Sequence, residues 1–251
     1  MDKQFKITYS TTKRLLENDV LVLVTAAGLC GTDEYFKFHD MVLRHEGISI
    51  VKQVSPEVQT LQKGDRKESF LLRLLNSLTD VKAAPLMCAR SSVFSALKNA
   101  SLLLGDKVRI IGVGSLSYLA IQFAAKQGYR VTAFSRTSTK RDNAIGLGAV
   151  KFHELSEFSD DSITPLDVLL IATSCLVNLM ALRGRVVILS TLDREINIPA
   201  ILLVIRALSI QGLAIALRCC STEMLQFASR NMIRPIVETF LLTVEGITKA
   251  M

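Results

Sequence analysis

Residues 107–128 run from a short apolar segment through a glycine-containing turn into an amphipathic segment of helical length. Residues 108–111 predict a buried strand, GVGSLS at 112–117 predicts a tight turn, and 118–128 predicts a helix that ends on glycine. Further strand candidates follow at 130–134, 149–152, 166–173, 184–190 and 208–215. Strands that alternate with helical segments in this way predict a parallel α/β sheet.

The turn between the first strand and its helix contains Gly112 and Gly114. Glycines there allow a tight turn and let the backbone approach a pyrophosphate, which the unpaired N–H groups of the helix N-terminus then bind. Ser117 stands where the third glycine of the dinucleotide fingerprint is expected, a place that requires a small residue. The alternative is an ordinary strand-to-helix turn. The flanking strand and helix favour dinucleotide binding.

The end of the second strand indicates which dinucleotide is bound. A carboxylate at this place would hydrogen-bond the ribose 2′-OH of NAD, but the chain has Ser135 and Arg136, with Lys140 and Arg141 one turn later. Arginine pairs with a phosphate in bidentate fashion, whereas a carboxylate would repel it. We therefore predict NADP(H) rather than NAD(H). The alternative interpretation is a solvated basic helix start.

Upstream of the α/β segment, GLCGTD, RHEG and APLMCAR contain Cys30, His45 and Cys88. Two cysteines and a histidine could form a three-ligand site with an open fourth position, as in catalytic zinc centres. On spacing alone, buried small cysteines and a structural histidine are the favoured interpretation.

Composition restricts the class of protein. The chain of 251 residues has room for one large or two modest domains, and its net charge of +7 suits an anionic ligand. Nucleic acid is disfavoured because only 6% of residues are aromatic and no basic block is sustained. Five cysteines without C-x-x-C spacing, and an N-terminus without an apolar signal core, predict a cytoplasmic protein. The most apolar stretch, 200–217, is interrupted by Arg206 and Gln211, and we predict a buried sheet element there rather than a membrane span.

Four segments in order resemble the zinc-containing alcohol dehydrogenases of the medium-chain dehydrogenase/reductase family: AAGLCGTD, RHEGISIVKQVSPEVQTLQKGDR, AAPLMCARSSVFSALK and GDKVRIIGVGSLSYLAIQFAAKQGYRVTAFSR. SRTSTKR is most similar to the NADP-dependent cinnamyl-alcohol-dehydrogenase-like branch. The resemblance implies a Rossmann doubly wound parallel sheet plus an incomplete GroES-like β-rich catalytic domain. The implied divisions are a truncated catalytic domain at 1–88, an NADP-binding domain at 89–217 and a truncated return segment at 218–251.

The resemblance also implies roles for individual residues. Three match the protein ligands of one catalytic zinc: Cys30, His45 and Cys88. Thr32 matches the hydroxyl that takes the proton from the bound alcohol, Asp33 the carboxylate that orients the ligand histidine, and Glu46 an acid that can act as an alternate ligand. Seven residues match the NADP site, where Gly112, Gly114, Leu116 and Ser117 form the pyrophosphate turn and Ser135, Arg136 and Lys140 form the 2′-phosphate pocket.

The chain also departs from the family pattern. Only 21 residues separate Arg66 from Cys88, where the family holds a long segment with four closely spaced cysteines, so we expect no structural zinc. A connecting helix is shortened near residues 174–179, and the family continues beyond the position of Met251. We predict an NADP-dependent zinc alcohol dehydrogenase that acts on a small aldehyde or alcohol, with homodimer contacts near 208–215. The alternatives are a non-catalytic NADP-binding remnant and a zinc-free enoyl or quinone reductase.

Overall fold

The computed structural model describes residues 5–31, 33, 46–68, 72–157, 166–171, 180–189, 198–213 and 217–250. The chain divides into two compact units. The first combines Met1–Cys88 with Val237–Met251, and the second is Ala89–Ile236.

The first unit contains an antiparallel sheet. Its strands, in the spatial order β1-β2-β3, are β1 Val20–Gly28, β2 Glu46–Val54 and β3 Arg66–Glu68. The first two contain runs of β-branched and other apolar residues, which favour strands. Other elements described in this unit are α1 Asp80–Ala83, a 3₁₀ turn Ala84–Leu86 and, near the C-terminus, α7 Val244–Ala250. Ile48 and Val51 on the central strand are fully buried and form part of the core of this unit.

The second unit contains a parallel sheet with six strands within the described residues. They are β4 Lys107–Ile111, β5 Arg130–Ser135, β6 Lys151–Glu154, β7 Leu166–Ile171, β8 Met180–Ile188 and β9 Ser209–Gly212. The spatial order β6-β5-β4-β7-β8-β9 confirms the predicted Rossmann topology, in which the order reverses between β4 and β7. Ligands of such sheets bind outside the carboxyl ends of the strands at this reversal.

Five α-helices of the second unit are described: α2 Ala89–Asn99, α3 Ser115–Lys126, α4 Arg141–Gly146, α5 Ala200–Arg206 and α6 Arg218–Arg230. Helix α3 buries the apolar face that its sequence predicts, including the fully buried Phe123. Helix α6 packs on α2, with the rings of Phe94 and Phe227 5.5 Å apart. The second unit therefore extends to Ile236, whereas the predicted division assigned everything after residue 217 to a return segment.

The apolar stretch 200–217 differs from its prediction. It forms the short helix α5 and then β9, whose four residues are exposed rather than buried. The reason is position, because β9 is the last strand of the sheet and pairs with β8 alone among the described strands. Among the residues that the structure describes, no helix combines the length and apolarity needed to cross a membrane.

Candidate functional site

Three donor side chains meet in the first unit: Cys30, Glu46 and Cys88. One sulfur or carboxylate oxygen from each lies within 4.8 Å of the others. Three different elements bring them together, because Cys30 follows β1, Glu46 begins β2, and Cys88 follows the 3₁₀ turn. Glu46 is buried, and both cysteines are half-buried. Two thiols and a carboxylate at this separation could hold a metal ion.

The carboxylate of Glu46 occupies space that the adjacent strand leaves open. Gly28 pairs with Glu46 across the β1–β2 ladder, and a Cβ atom at Gly28 would lie 1.9 Å from Glu46 Oε2. Only the absence of a side chain at Gly28 lets the buried carboxylate lie against this strand. The resemblance marked Glu46 as an acid beside the metal, but it gave no sign that Gly28 makes room for it.

Asp33 is 2% exposed and stabilises the turn that follows Cys30. Its Oδ2 accepts a hydrogen bond of 2.9 Å from the backbone N–H of Cys30, and its own N–H donates to the Cys30 carbonyl at 3.0 Å. These two bonds fix the backbone on which the Cys30 thiol is carried. The predicted ligand His45 and the predicted proton relay Thr32 lie outside the described residues.

The donor set fits zinc in its chemistry. Zinc binds thiolate sulfur at about 2.3 Å and carboxylate oxygen at about 2.0–2.2 Å, so a tetrahedral site needs donor atoms roughly 3.3–3.8 Å apart. Atoms within 4.8 Å of one another reach that spacing with small side-chain adjustments. The residues Cys30, Glu46 and Cys88 are therefore suited to hold a zinc ion.

A second site lies in the other unit, at the carboxyl end of β4. Gly112 has a φ of +85°, a conformation that favours glycine, and its N–H donates to the Phe134 carbonyl at 2.9 Å. Gly114 is the N-cap of α3 and contributes no side-chain cap to the helix. The buried Ser117 donates its hydroxyl hydrogen bond back to the Gly112 carbonyl. Ser117 therefore ties the helix to the turn where the fingerprint has glycine, and Leu116 beside it is half-buried.

The predicted 2′-phosphate residues lie at the end of β5, beside this turn. Ser135 is buried and Arg136 is exposed. Lys140 is half-buried, and its Nζ donates a hydrogen bond of 2.6 Å to the carbonyl of Val113 in the middle of the turn. The ammonium group thus joins the two halves of the predicted cofactor site, a contact that sequence reasoning did not find because the two residues are 27 positions apart.

Sequence reasoning also missed a buried cation beneath this site. Arg109 on β4 is 3% exposed, and its guanidinium lies 5.6 Å from the centre of the Phe134 ring. Burial lowers the pKa of Arg109 to about 10. The Phe134 ring also stacks on His153, with the ring centres 5.4 Å apart. The available signal in the sequence was Arg109 among the apolar residues of the predicted strand 108–111.

Residues 16–72 match the alcohol dehydrogenase GroES-like domain. An alcohol dehydrogenase from Geobacillus stearothermophilus is 25% identical over 94% of this chain and 88% of its own length. An NADP-dependent alcohol dehydrogenase C from Mycolicibacterium smegmatis is 30% identical over 68% of this chain, and the match spans about half of that relative, 51%.

Solved structures with the same fold include a cinnamyl alcohol dehydrogenase from Sorghum bicolor. The two structures superpose with a TM-score of 0.85 at 21% identity, over 96% of this chain and 88% of the sorghum chain. At this identity the likeness supports the fold, a parallel sheet with helices joined to a GroES-like unit.

Proposed function

We propose that the chain is a member of the zinc-type medium-chain alcohol dehydrogenase family, an NADP-dependent oxidoreductase that interconverts an aldehyde and its alcohol at one catalytic zinc. The observation that carries this proposal is the meeting of Cys30, Glu46 and Cys88 within 4.8 Å. A zinc-free enoyl or quinone reductase has no use for two thiols and a carboxylate at one point, so the donor set argues against that alternative.

Each residue of the metal site has a proposed task. Cys30 and Cys88 would hold the zinc together with His45, and Glu46 would serve as an alternate ligand. When bound, the zinc acts as a Lewis acid toward the substrate oxygen, and NADPH supplies the hydride. Asp33 fixes the Cys30 backbone through its bond of 2.9 Å and orients the ligand histidine. Thr32 would exchange the proton of the alcohol hydroxyl.

The glycine turn and the end of β5 would bind NADPH. The pyrophosphate would lie against the N-terminus of α3, where Gly114 has no side chain in the way and a Cβ atom there would meet nothing within 4 Å. Ser135, Arg136 and Lys140 would surround the 2′-phosphate, and the mycobacterial relative described above is NADP-dependent. Lys140 also reaches the turn itself and so lies between the two phosphate positions.

Turnover tests the proposal directly. Purified protein supplied with zinc should oxidise NADPH in the presence of cinnamaldehyde or benzaldehyde, and Cys30→Ser should reduce the rate to background. Cys219→Ser is the matched control, because Cys219 is an exposed cysteine on α6 of the other unit, and it should retain the activity. NADPH binding without turnover of any aldehyde would instead support a non-catalytic NADP-binding protein.

Cofactor preference has a separate test. Arg136→Ala should weaken NADPH binding by about tenfold and leave NADH binding unchanged, because an exposed charge-assisted hydrogen bond to phosphate is lost. Arg130→Ala is the control, since Arg130 is an exposed arginine at the opposite end of the same strand. Fluorescence titration measures both affinities. Equal loss for both cofactors, or no loss for NADPH, would contradict the assignment.

Two further properties are proposed. We propose a cytoplasmic location, which is compatible with four described cysteines that form no disulfide.

We also propose that β9 and the residues around it, 208–215, contact a second copy of the chain. The four exposed residues of β9 lie at the sheet edge, a place where strands of two chains can pair.

A further inference from the structure

A polar network in the first unit connects the segments that carry the two cysteines. Arg66 on β3 donates to Asp80 Oδ1 through Nε at 3.0 Å and also through Nη2. Thr25 on β1 donates to the other oxygen, Asp80 Oδ2, at 2.5 Å. Oδ1 of Asp80 therefore accepts hydrogen bonds from β3, and Oδ2 accepts one from β1. These are the two edge strands of the β1-β2-β3 sheet.

A β-bulge aims Thr25 at this network. Val24 pairs with Ser49 and Ala26 with Ile48, so Thr25 is an extra residue in β1. Bulges redirect a side chain relative to its strand and are frequent beside active sites. Here the redirected hydroxyl of Thr25 donates to Asp80. Thr25 itself lies five positions before Cys30 along the chain.

The same arginine holds the chain that leads to Cys88. Its Nη2 donates to the Leu78 carbonyl at 2.6 Å and its Nη1 to the Leu75 carbonyl at 3.5 Å. Its backbone carbonyl accepts from the Leu74 N–H at 3.0 Å. Residues 74–78 belong to no described helix or strand, and Arg66 forms three hydrogen bonds with this segment.

The path from this network to Cys88 is short and rigid. Asp80 begins α1, the 3₁₀ turn Ala84–Leu86 follows, and Cys88 comes eight positions after Asp80. Ala83, Ala84 and Leu86 are each no more than 2% exposed, so this path cannot slide over the sheet without breaking the core. A shift at Asp80 is therefore transmitted to Cys88.

We infer that Arg66, Asp80 and Thr25 are positioning residues that set the distance between the Cys30 and Cys88 thiols, and so the metal affinity of the site. The inference rests on the proposed metal centre. It gives a function to the shortened connection of 21 residues between Arg66 and Cys88, because Arg66 at its start bonds to Leu75, Leu78 and Asp80 within it. Arginine suits this task because its planar fork bonds the carboxylate and two carbonyls at once, which lysine cannot do.

Cobalt(II) binding to the full chain tests the inference, because the visible spectrum of bound cobalt reports both affinity and ligand geometry. Arg66→Met, Asp80→Asn and Thr25→Val should each weaken cobalt binding by about 10- to 100-fold, the usual effect of removing a group that orients a metal ligand. They should also change the spectrum at saturating cobalt. Arg66→Lys should restore little of the affinity, because it keeps the charge and loses the fork.

Arg73→Met is the matched control. Arg73 is an exposed arginine in the same connection between Arg66 and Cys88, and it pairs with Asp65 rather than with Asp80. Its removal should therefore leave cobalt binding unchanged. Urea unfolding of each apo variant separates stability from positioning, and if Arg66→Met does not fold, Thr25→Val and Asp80→Asn decide. Variants that are less stable but bind cobalt with wild-type affinity and spectrum would overturn the inference and leave the metal centre standing. A folded wild-type protein that binds no cobalt would overturn both.

Discussion

The proposed metal site shows how far single residues can be predicted. Cys30 and Cys88 could be paired from the sequence through their resemblance to a ligand pattern, and the structure brings their sulfur atoms together with a Glu46 oxygen. The space beside Gly28 could not be predicted, because it depends on the β1–β2 register and on the rotamer of a buried side chain 18 positions away. Such long-range contacts leave no local pattern in the sequence.

Gly28→Ala should lower the free energy of unfolding by about 1–3 kcal/mol, the usual cost of overpacking a filled site. The added Cβ would lie 1.9 Å from Glu46 Oε2 and 3.1 Å from its Cβ, and Glu46 is only 2% exposed. Urea unfolding measures the loss. Gly31→Ala is the control, since a Cβ there meets nothing within 4 Å, and it should be neutral or slightly stabilising. Equal effects of the two substitutions would contradict the packing described.

Asp80 should make stability depend on pH on the acid side. Burial raises the pKa of Asp80. Hydrogen bonds from Thr25 and Arg66, together with the charge of Arg66, lower it by more than burial raises it, so the pKa lies below its ordinary value of 3.8. A lowered pKa in the folded state adds stability that is fully present above the unfolded value and is lost as the pH falls through the folded one.

Urea unfolding of wild type and Asp80→Asn across the acid range checks this dependence. The difference in unfolding free energy should be constant above about pH 5 and should shrink as the pH falls from the ordinary pKa towards the lowered folded one, because the carboxyl of the unfolded chain binds a proton first. A difference that stays constant to the lowest pH at which both proteins fold would show that the charge of Asp80 is not what stabilises the network.

At the scale of elements, the parallel sheet was predictable and the connection between the two cysteines was not. Predicted strands such as 108–111 and 130–134 lie within one residue of β4 and β5, because buried parallel strands are continuous apolar runs. Residues 70–78 are apolar at helix-like intervals but have no clear caps, so the sequence alone predicts no definite element there. The structure shows why for 74–78, since this part is held by the side chain of Arg66 and not by its own backbone ladder.

The placement of α6 in the second unit predicts a measurable coupling. The Phe94 and Phe227 rings are 5.5 Å apart with their planes inclined at 49°, and they join α2 to α6. A double-mutant cycle of Phe94→Leu and Phe227→Leu should give a coupling energy of about 0.5–1.5 kcal/mol in urea unfolding. Strictly additive effects would mean that α6 does not pack on α2 as described.

At the scale of the whole molecule, each unit contributes one half of the proposed chemistry. The first holds the metal donors, and the second holds the glycine turn and the basic residues at the end of β5. The proposed contact between copies of the chain uses a third region, the exposed edge strand β9. Its exposure was not predicted, because the sequence shows that a segment is apolar but not which strand is last in the sheet.

Ile210→Lys should convert the proposed dimer to monomer, because an inserted charge on an exposed edge strand prevents pairing with a second chain. Light scattering coupled to size exclusion measures the mass. Ile145→Lys is the control, since Ile145 on α4 is similarly exposed, at 45% against 40% for Ile210. Helix α4 contacts β6, which is at the opposite edge of the sheet from β9. A wild-type protein that is monomeric at all concentrations would contradict the proposal.

The central claim is that Cys30, Glu46 and Cys88 belong to a working metal site, and zinc content tests it most directly. Purified, extensively dialysed protein should retain one zinc per chain, which Cys30→Ser should lose and Cys219→Ser should keep. This result would mean that the ligands hold zinc although the connection to Cys88 is short. A folded protein that binds NADPH and retains no zinc would contradict the account and would leave only the cofactor-binding half of the proposed function.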